Sequence, residues 1–443
     1  MKFKIVFFCF LFSFQFILAQ DGFHFDTNKT KTTIAFEFVN NLIIIPIEVN
    51  GVKLNFLLDT GVEDSILFSV DDTDGVIFSN IEKIRIRGFG SNDAFDAYKS
   101  LHNKLSIKNY TDLDHTIFLV LDQNINISSQ IGVPVNGIIG HNFFKNDLVK
   151  INYTTKRITV FKNTEKEIKK INKSFQMFPL EMIYGKPYIS TKTFFENSDA
   201  LMESKLLIDI GNNDALWLFS EKNKEIVIPN STIEDFLGRG FSGDVYGKRG
   251  RIKNFKIGNF NFKNPLVAFP NDTATVEADK IVGRIGSIGS EIMRRFTTVY
   301  NYQANEIYLK QNPDYNDSFN FNMSGLDIQH QGLQWISEGF EENPAISNNL
   351  FDGNGNKVIN NLKYKFELKP IYIIANVRKD SPAEKAGILK NDIIVKIDGR
   401  NGYNFTLQQI NDLLKSEEGK TIKLIIDRKG KIINLVFQLK NLL

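Results

Sequence analysis

The sequence predicts a mainly β chain: two like lobes followed by a smaller α+β domain. Three observations predict it. Short apolar runs alternate with Asn-, Gly- and Asp-rich turns through the first 312 residues. A set of landmarks then recurs in the same order at an offset of 149 or 150 residues. Beyond residue 323 the pattern changes to strands separated by two helix signals.

The chain has 443 residues, enough for two or three domains with cores of their own. Residues 1–20 stand apart. Lys2 and Lys4 precede an apolar run from Ile5 to Leu18 that closes on Ala19-Gln20, the make-up of a cleaved secretory signal peptide. The run is short for a membrane span. The one cysteine, Cys9, lies inside it, so a mature chain has no disulfide and no thiol chemistry. The leader takes away two lysines and no acid, which brings the formal charge from +3 to +1. No basic field is left to attract nucleic acid or an anionic membrane. No later apolar stretch is long enough for a transmembrane helix. The expected location is outside the cytoplasm, periplasmic or extracellular.

The first lobe is expected over residues 21–163. Ile34–Phe38 and Leu42–Val49 read as strands around an Asn40-Asn41 turn, and Asn50-Gly51 makes a tight hairpin into Lys53-Leu-Asn-Phe-Leu-Leu-Asp59-Thr60-Gly61. An apolar strand that ends on a carboxylate places a costly group where it needs partners or a task. Ile81–Phe89 leads to Gly88-Phe89-Gly90, a hairpin tip with backbone freedom. Gly137-Ile-Ile-Gly140 precedes a short helix signal, and Asp147–Tyr153 with Arg157–Phe161 closes the lobe as a hairpin. His141 reads as a packed or solvated histidine. The five histidines have no metal-ligand spacing, and neither metal nor cofactor is expected.

The second lobe is expected over residues 164–312. Leu206-Leu-Ile-Asp209-Ile210-Gly211 repeats Phe56-Leu-Leu-Asp59-Thr60-Gly61, Asp214 falls opposite Asp64, and Gly238-Arg239-Gly240 opposite Gly88-Phe89-Gly90, all at 150. Gly286-Ser-Ile-Gly289 answers Gly137-Ile-Ile-Gly140, and Asn301-Tyr302 answers Asn152-Tyr153, both at 149. Two related lobes facing each other across a pseudo-two-fold axis would bring the two Asp-x-Gly loops together. Paired carboxyls cannot both ionise easily, so they share a proton and titrate as a unit. The ionised member can take a proton from water while the other donates to a carbonyl oxygen.

These residues resemble the retropepsin-like aspartic proteases, of the type found in exported bacterial proteins. The resemblance implies two closed acid-protease β-barrel lobes, Asp59 and Asp209 as the catalytic pair, and Thr60, Gly61 and Gly211 supporting it. It also implies flap glycines at Gly88, Gly90, Gly238 and Gly240 with Phe89 at a tip, and a peptide or protein substrate cut in a groove beneath. One position departs from the family: Ile210 stands where a Thr or Ser braces the loops, so half of that brace is missing. The alternative expectation is a non-catalytic protein that binds peptide in the same groove.

Residues 313–323 are polar and turn-rich and read as a linker to a domain over 324–443. There Ser381-Pro382-Ala383 opens a short helix, with Ser as cap and Pro at its first position. Gly387 ends it, Asp392-Ile-Ile and Asp398-Gly399 follow, Leu407–Leu414 forms an amphipathic helix, and two strands close the chain. This series resembles a PDZ domain of the bacterial protease-associated type. The resemblance implies a peptide ligand added at a sheet edge, with Ser324, Gly325, Leu326, Asp327 and Ile328 as carboxylate loop and binding strand. The insertion Asn343–Asn361 is expected to be a long loop and lacks the calcium-loop pattern.

Overall fold

A computed structural model of the chain describes residues 22–26, 28–68, 75–86, 95–120, 127–195, 201–221, 223–240, 243–271, 281–340 and 363–443. The expected leader, the tip Gly88-Phe89-Gly90 and the Asn343–Asn361 insertion lie outside the described residues. The fold is mainly β and consists of four sheets with short helices between them.

Each lobe is organised around one apolar strand that ends on an aspartate. In the first, Val52–Leu58 pairs antiparallel with Leu42–Val49 and parallel with Gly137–Ile139, in the register Phe56↔Gly137 and Leu58↔Ile139. In the second, Leu201–Ile208 pairs antiparallel with Lys186–Phe194 and parallel with Arg284–Ile288, in the register Leu206↔Gly286 and Ile208↔Ile288. The two registers are the same at the offsets read from the sequence. The tight turns form where the amides and glycines predict: Asn40 and Asn41 have φ of 48° and 65°, and Asn50 and Gly51 have 47° and 93°. Runs that are buried on both faces, such as Leu42–Ile45, need no polar alternation, which is why they read as continuous apolar stretches.

A six-stranded sheet joins the lobes from beneath. Leu148–Asn152 and Phe296–Asn301 lie at its centre, with Val149↔Tyr300 and Ile151↔Thr298 as partners. At an offset of 149 each of these pairs maps onto the other, so the pseudo-two-fold axis passes between these two strands. Outside them lie Arg157–Phe161 with Lys31–Ala35 on one side, and Glu306–Gln311 with Gln176–Pro179 on the other. One core runs continuously through this sheet into both lobes and the C-terminal domain.

The C-terminal domain has the sheet order Leu326–Phe340, Lys363–Val377, Ile393–Ile397, Thr421–Arg428, Lys431–Gln438, with Leu326–Phe340 as an edge strand. Ser381 caps the Pro382–Lys385 helix through its Oγ, and the amphipathic helix is Leu407–Leu414, both as read from the sequence. Residues 313–323 contain a 3-10 turn, Pro313–Asn316, and bury Phe319, Phe321 and Met323. The polar residues between them hid three anchors, and the segment is packed rather than loose.

Candidate active site

The two Asp-x-Gly loops meet at the pseudo-two-fold axis. Each aspartate is delivered by its apolar strand, and its backbone N–H bonds to the strand beside it: Asp59 N to Ile139 O at 2.9 Å, Asp209 N to Ile288 O at 2.9 Å. The glycine that ends each neighbouring strand lies under the loop. A Cβ on Gly140 would fall 2.2 Å from Val62 O, and one on Gly289 2.2 Å from Asp214 O. That close approach is what the Gly-x-x-Gly spacing encodes.

The carboxyls of Asp59 and Asp209 face each other: one Cβ position at Gly61 would lie 3.0 Å from Asp59 Oδ1 and 3.0 Å from Asp209 Oδ1. Each also lies against the other lobe's glycine. A Cβ on Gly211 would sit 2.2 Å from Asp59 Cγ, and one on Gly61 3.0 Å from Asp209 Cγ. Gly61 N–H donates to Asp59 Oδ1 at 2.6 Å. Removal from water raises the Asp59 carboxyl well above the usual carboxylate range, and the neighbouring Asp209 adds to that. Asp209 is also raised by burial, but Arg284, the hydrogen bond from Asp59 and Lys186 all pull it back. Both carboxyls are raised, so the pair holds one proton between them and titrates as a unit.

The loop brace is one-sided, as the Ile210 departure implies. Thr60 Oγ1 donates to Ile208 O at 2.6 Å and accepts from Ile210 N–H at 3.1 Å. Ile210 is fully buried and returns nothing. Its carbonyl accepts instead from Ser290 Oγ at 2.9 Å. A second set of crossings reinforces the pair. The hairpin of each lobe reaches over the other lobe's loop: Asn41 Nδ2 donates to Asn213 O at 3.1 Å and to Glu291 Oε2 at 2.7 Å, while His141 Nδ1 donates to Gly185 O at 2.9 Å. His141 also stacks on Tyr302 and is a packed residue. Lys186, next to Gly185, is half-buried and electrostatically close to Asp59, Asp64 and Asp209.

Sequence reasoning missed the Ser65–His115–Asp112 chain. His115 Nδ1 donates to Asp112 Oδ2 at 2.6 Å and its Nε2 accepts from Ser65 Oγ at 2.7 Å. The order is that of a nucleophilic triad. All three residues are 1% exposed, so no substrate reaches Ser65, and the chain supports the strand that follows the Asp59 loop. Fifty residues separate Ser65 from His115, and no local spacing announces the contact. Among the described residues no group of three or more His, Cys, Asp or Glu is placed to hold a metal.

Two other sets of expected site residues lie elsewhere. Gly238 and Gly240 are in the hairpin Thr232–Gly240/Gly243–Arg251, and Gly238 lines a cavity shared with the C-terminal domain. This hairpin is tied down there by Asp235–Arg378 at 3.5 Å. Residues 241–242, at the tip of this hairpin, lie outside the described residues. Ser324–Ile328 leads into the edge strand Leu326–Phe340. Its amides are already taken: Ser324 and Gly325 N–H donate to Asn322 Oδ1 at 3.0 and 3.2 Å, and Leu326 N–H donates to Ser324 Oγ at 3.0 Å. Leu326 and Ile328 are core residues, and Asp327 alone of the strand start lines the cavity with a charge.

Fold and site together define a two-lobed β protein with a carboxyl pair at its axis and a peptide-recognition type of domain behind it. Comparison agrees. Residues 45–143 match the aspartyl protease family and residues 373–428 the PDZ domain family, so the chain joins an aspartyl protease region to a PDZ domain. The first match covers the first repeat; the second lobe is recognised from the internal offset and its geometry. A curated relative, the probable CtpA-like serine protease of Staphylococcus haemolyticus (strain JCSC1435), is 45% identical over 56 residues, 13% of this chain. The chain spans about a tenth of that relative's length (11%). A solved structure, the aspartic proteinase from Irpex lacteus, is similar over 66% of this chain and 100% of its own, at 13% identity and a TM-score of 0.40.

Proposed function

We propose that this chain is an exported aspartic-type endopeptidase that hydrolyses peptide bonds with the Asp59–Asp209 pair. The observation that carries the reading is the proximity of the two carboxyls, with Asp59 Oδ1 and Asp209 Oδ1 each 3.0 Å from one Cβ position at Gly61. Asp209, ionised beside Arg284, takes a proton from a water as that water's oxygen bonds to the scissile carbonyl carbon. Asp59 gives its proton to the carbonyl oxygen, which yields a neutral tetrahedral diol. Asp209 then passes its proton to the amide nitrogen, Asp59 takes one back from a diol hydroxyl, and the C–N bond breaks. No covalent intermediate forms. The lobes are residues 21–163 and 164–312, the PDZ domain is 324–443 and adds recognition of a peptide or protein, and residues 1–20 direct export to the periplasm or medium.

The test is peptide cleavage from acidic to neutral pH. Asp59→Asn and Asp209→Asn are each expected to lower kcat by about 10²–10⁴-fold. Equal rates for wild type and both variants at every pH would end the enzyme reading. Buried Ile210, which leaves the loop brace one-sided, favours the second reading of a non-catalytic groove that binds peptide. Tight peptide binding without turnover, unchanged in Asp209→Asn, would select it.

A further inference from the structure

A sheet edge beside an amphipathic helix is a place where a peptide adds as a further strand. In the PDZ domain that place lies between edge strand Leu326–Phe340 and helix Leu407–Leu414. It is occupied from within the chain. Helix Ile127–Ile131 of the first lobe packs along the edge strand. Gly132, which follows it at φ +86°, lies so close to the start of the PDZ helix that a Cβ there would be 2.7 Å from Leu407 Cβ. Gln130 lines the remaining cavity together with Leu326, Ile328 and Asn411. Asn40 closes the seam: its N–H donates to Gln408 Oε1, its Oδ1 accepts from Asn411 Nδ2 at 3.0 Å, and its own Nδ2 reaches Ile131 O at 3.5 Å.

The seam continues to the carboxyl pair along two arms. In the first, Asn41 bonds Asn213 O and Glu291. Glu291 N–H in turn donates to Asp214 O at 3.2 Å. In the second, Arg378 of the PDZ domain pairs with Asp235, Asp235 with Arg249 at 3.0 Å, and Arg249 with Asp214 Oδ1 at 2.6 Å. Both arms end on the loop that begins at Asp209, the loop whose residue 210 lacks a bracing hydroxyl.

We propose that residues 127–132 are the resident ligand of the PDZ groove, and that their docking holds the Asp209 loop in register with Asp59. An outside peptide that takes the groove displaces this segment and loosens the loop, so occupancy of the groove and turnover in the cleft oppose each other. The catalytic half of this statement rests on the Asp59–Asp209 reading; the docking half does not.

The experiment is backbone hydrogen exchange on the full chain without substrate, combined with steady-state kinetics. Gln408→Ala/Asn411→Ala removes the seam from the PDZ side, and Asn41→Ala cuts the first arm from the lobe side. The double variant is expected to exchange about 5-fold faster or more both at 127–132 and at 211–215. Asn41→Ala is expected to do so at 211–215 alone. Both are expected to lower kcat by about 5-fold or more with KM unchanged. Unchanged exchange at 211–215 in either variant overturns the proposal, as does unchanged exchange at 127–132 in the double variant. If exchange changes as stated and wild type cleaves no peptide, the docking stands and the dyad reading falls.

Discussion

At the residue scale, two carboxyls are forced together by glycines that have no room for a side chain. Gly211→Ala would drive a methyl into Asp59, so the pair must separate. We expect kcat to fall by about 100-fold or more, as for other misplacements near 1 Å, with the fold retained by circular dichroism. Wild-type activity in that variant would show that the contact is not needed. Thr60→Val removes the donor to Ile208 O and the acceptor of Ile210 N–H in a fully buried place. A loss of about 1–3 kcal/mol in urea unfolding is expected. The pH dependence follows from the raised carboxyls. A shared proton that binds more tightly in the folded state stabilises the protein at low pH, and that contribution fades as pH rises through the folded pKa values. Under the proposed reading, peptide cleavage is expected to fade on the same alkaline side, as the pair loses its shared proton.

At the element scale, the strand–loop–strand unit of each lobe was legible because its apolar run, aspartate and paired glycines are close in sequence and each answers a local steric need. The duplication added a check that no single motif provides: two copies in register at 149–150. What supports the units was not legible. Ser65 meets His115 and Asp112 from a different stretch of the lobe, and their types alone could equally be surface residues. His115→Ala leaves the buried Ser65 hydroxyl and Asp112 Oδ2 without their partner, while Asp112 Oδ1 keeps the Asp114 N–H. We expect a loss of about 3 kcal/mol, since each unsatisfied group costs about 1–3 kcal/mol. An unfolding midpoint equal to wild type would mean that water repairs the gap. Symmetry with Gly88 and Gly90 predicted a flap at Gly238 and Gly240, and Arg378, a neighbour the sequence does not position, pairs with Asp235 of that hairpin.

At the scale of the whole molecule, the PDZ domain is a fixed part of the two-lobed body. Asp327 lies at that junction. Burial first, then Asp235 and Asp244, against the opposing Gln329 and Lys390, raise its carboxyl to about 6. Its folded pKa lies above its unfolded value, so the protonated form stabilises the junction. That stability is full below pH 3.8 and lost as pH rises through about 6. Asp327→Asn is expected to flatten the fall of the unfolding midpoint across this range; equal slopes in the two proteins would rule Asp327 out as its source.

The sequence alone determined the number of lobes, the strands that carry Asp59 and Asp209, the tight turns, and the helix caps of the PDZ domain. Those features depend on local sterics, backbone hydrogen bonding and periodic burial, which neighbouring residues specify among themselves. Only the tertiary structure decided that the carboxyls meet, that Asn322 takes the amides of Ser324 and Gly325, and that helix Ile127–Ile131 packs against the edge strand Leu326–Phe340. Contacts between groups far apart in the chain depend on how whole surfaces fit, and no spacing along the sequence encodes that fit.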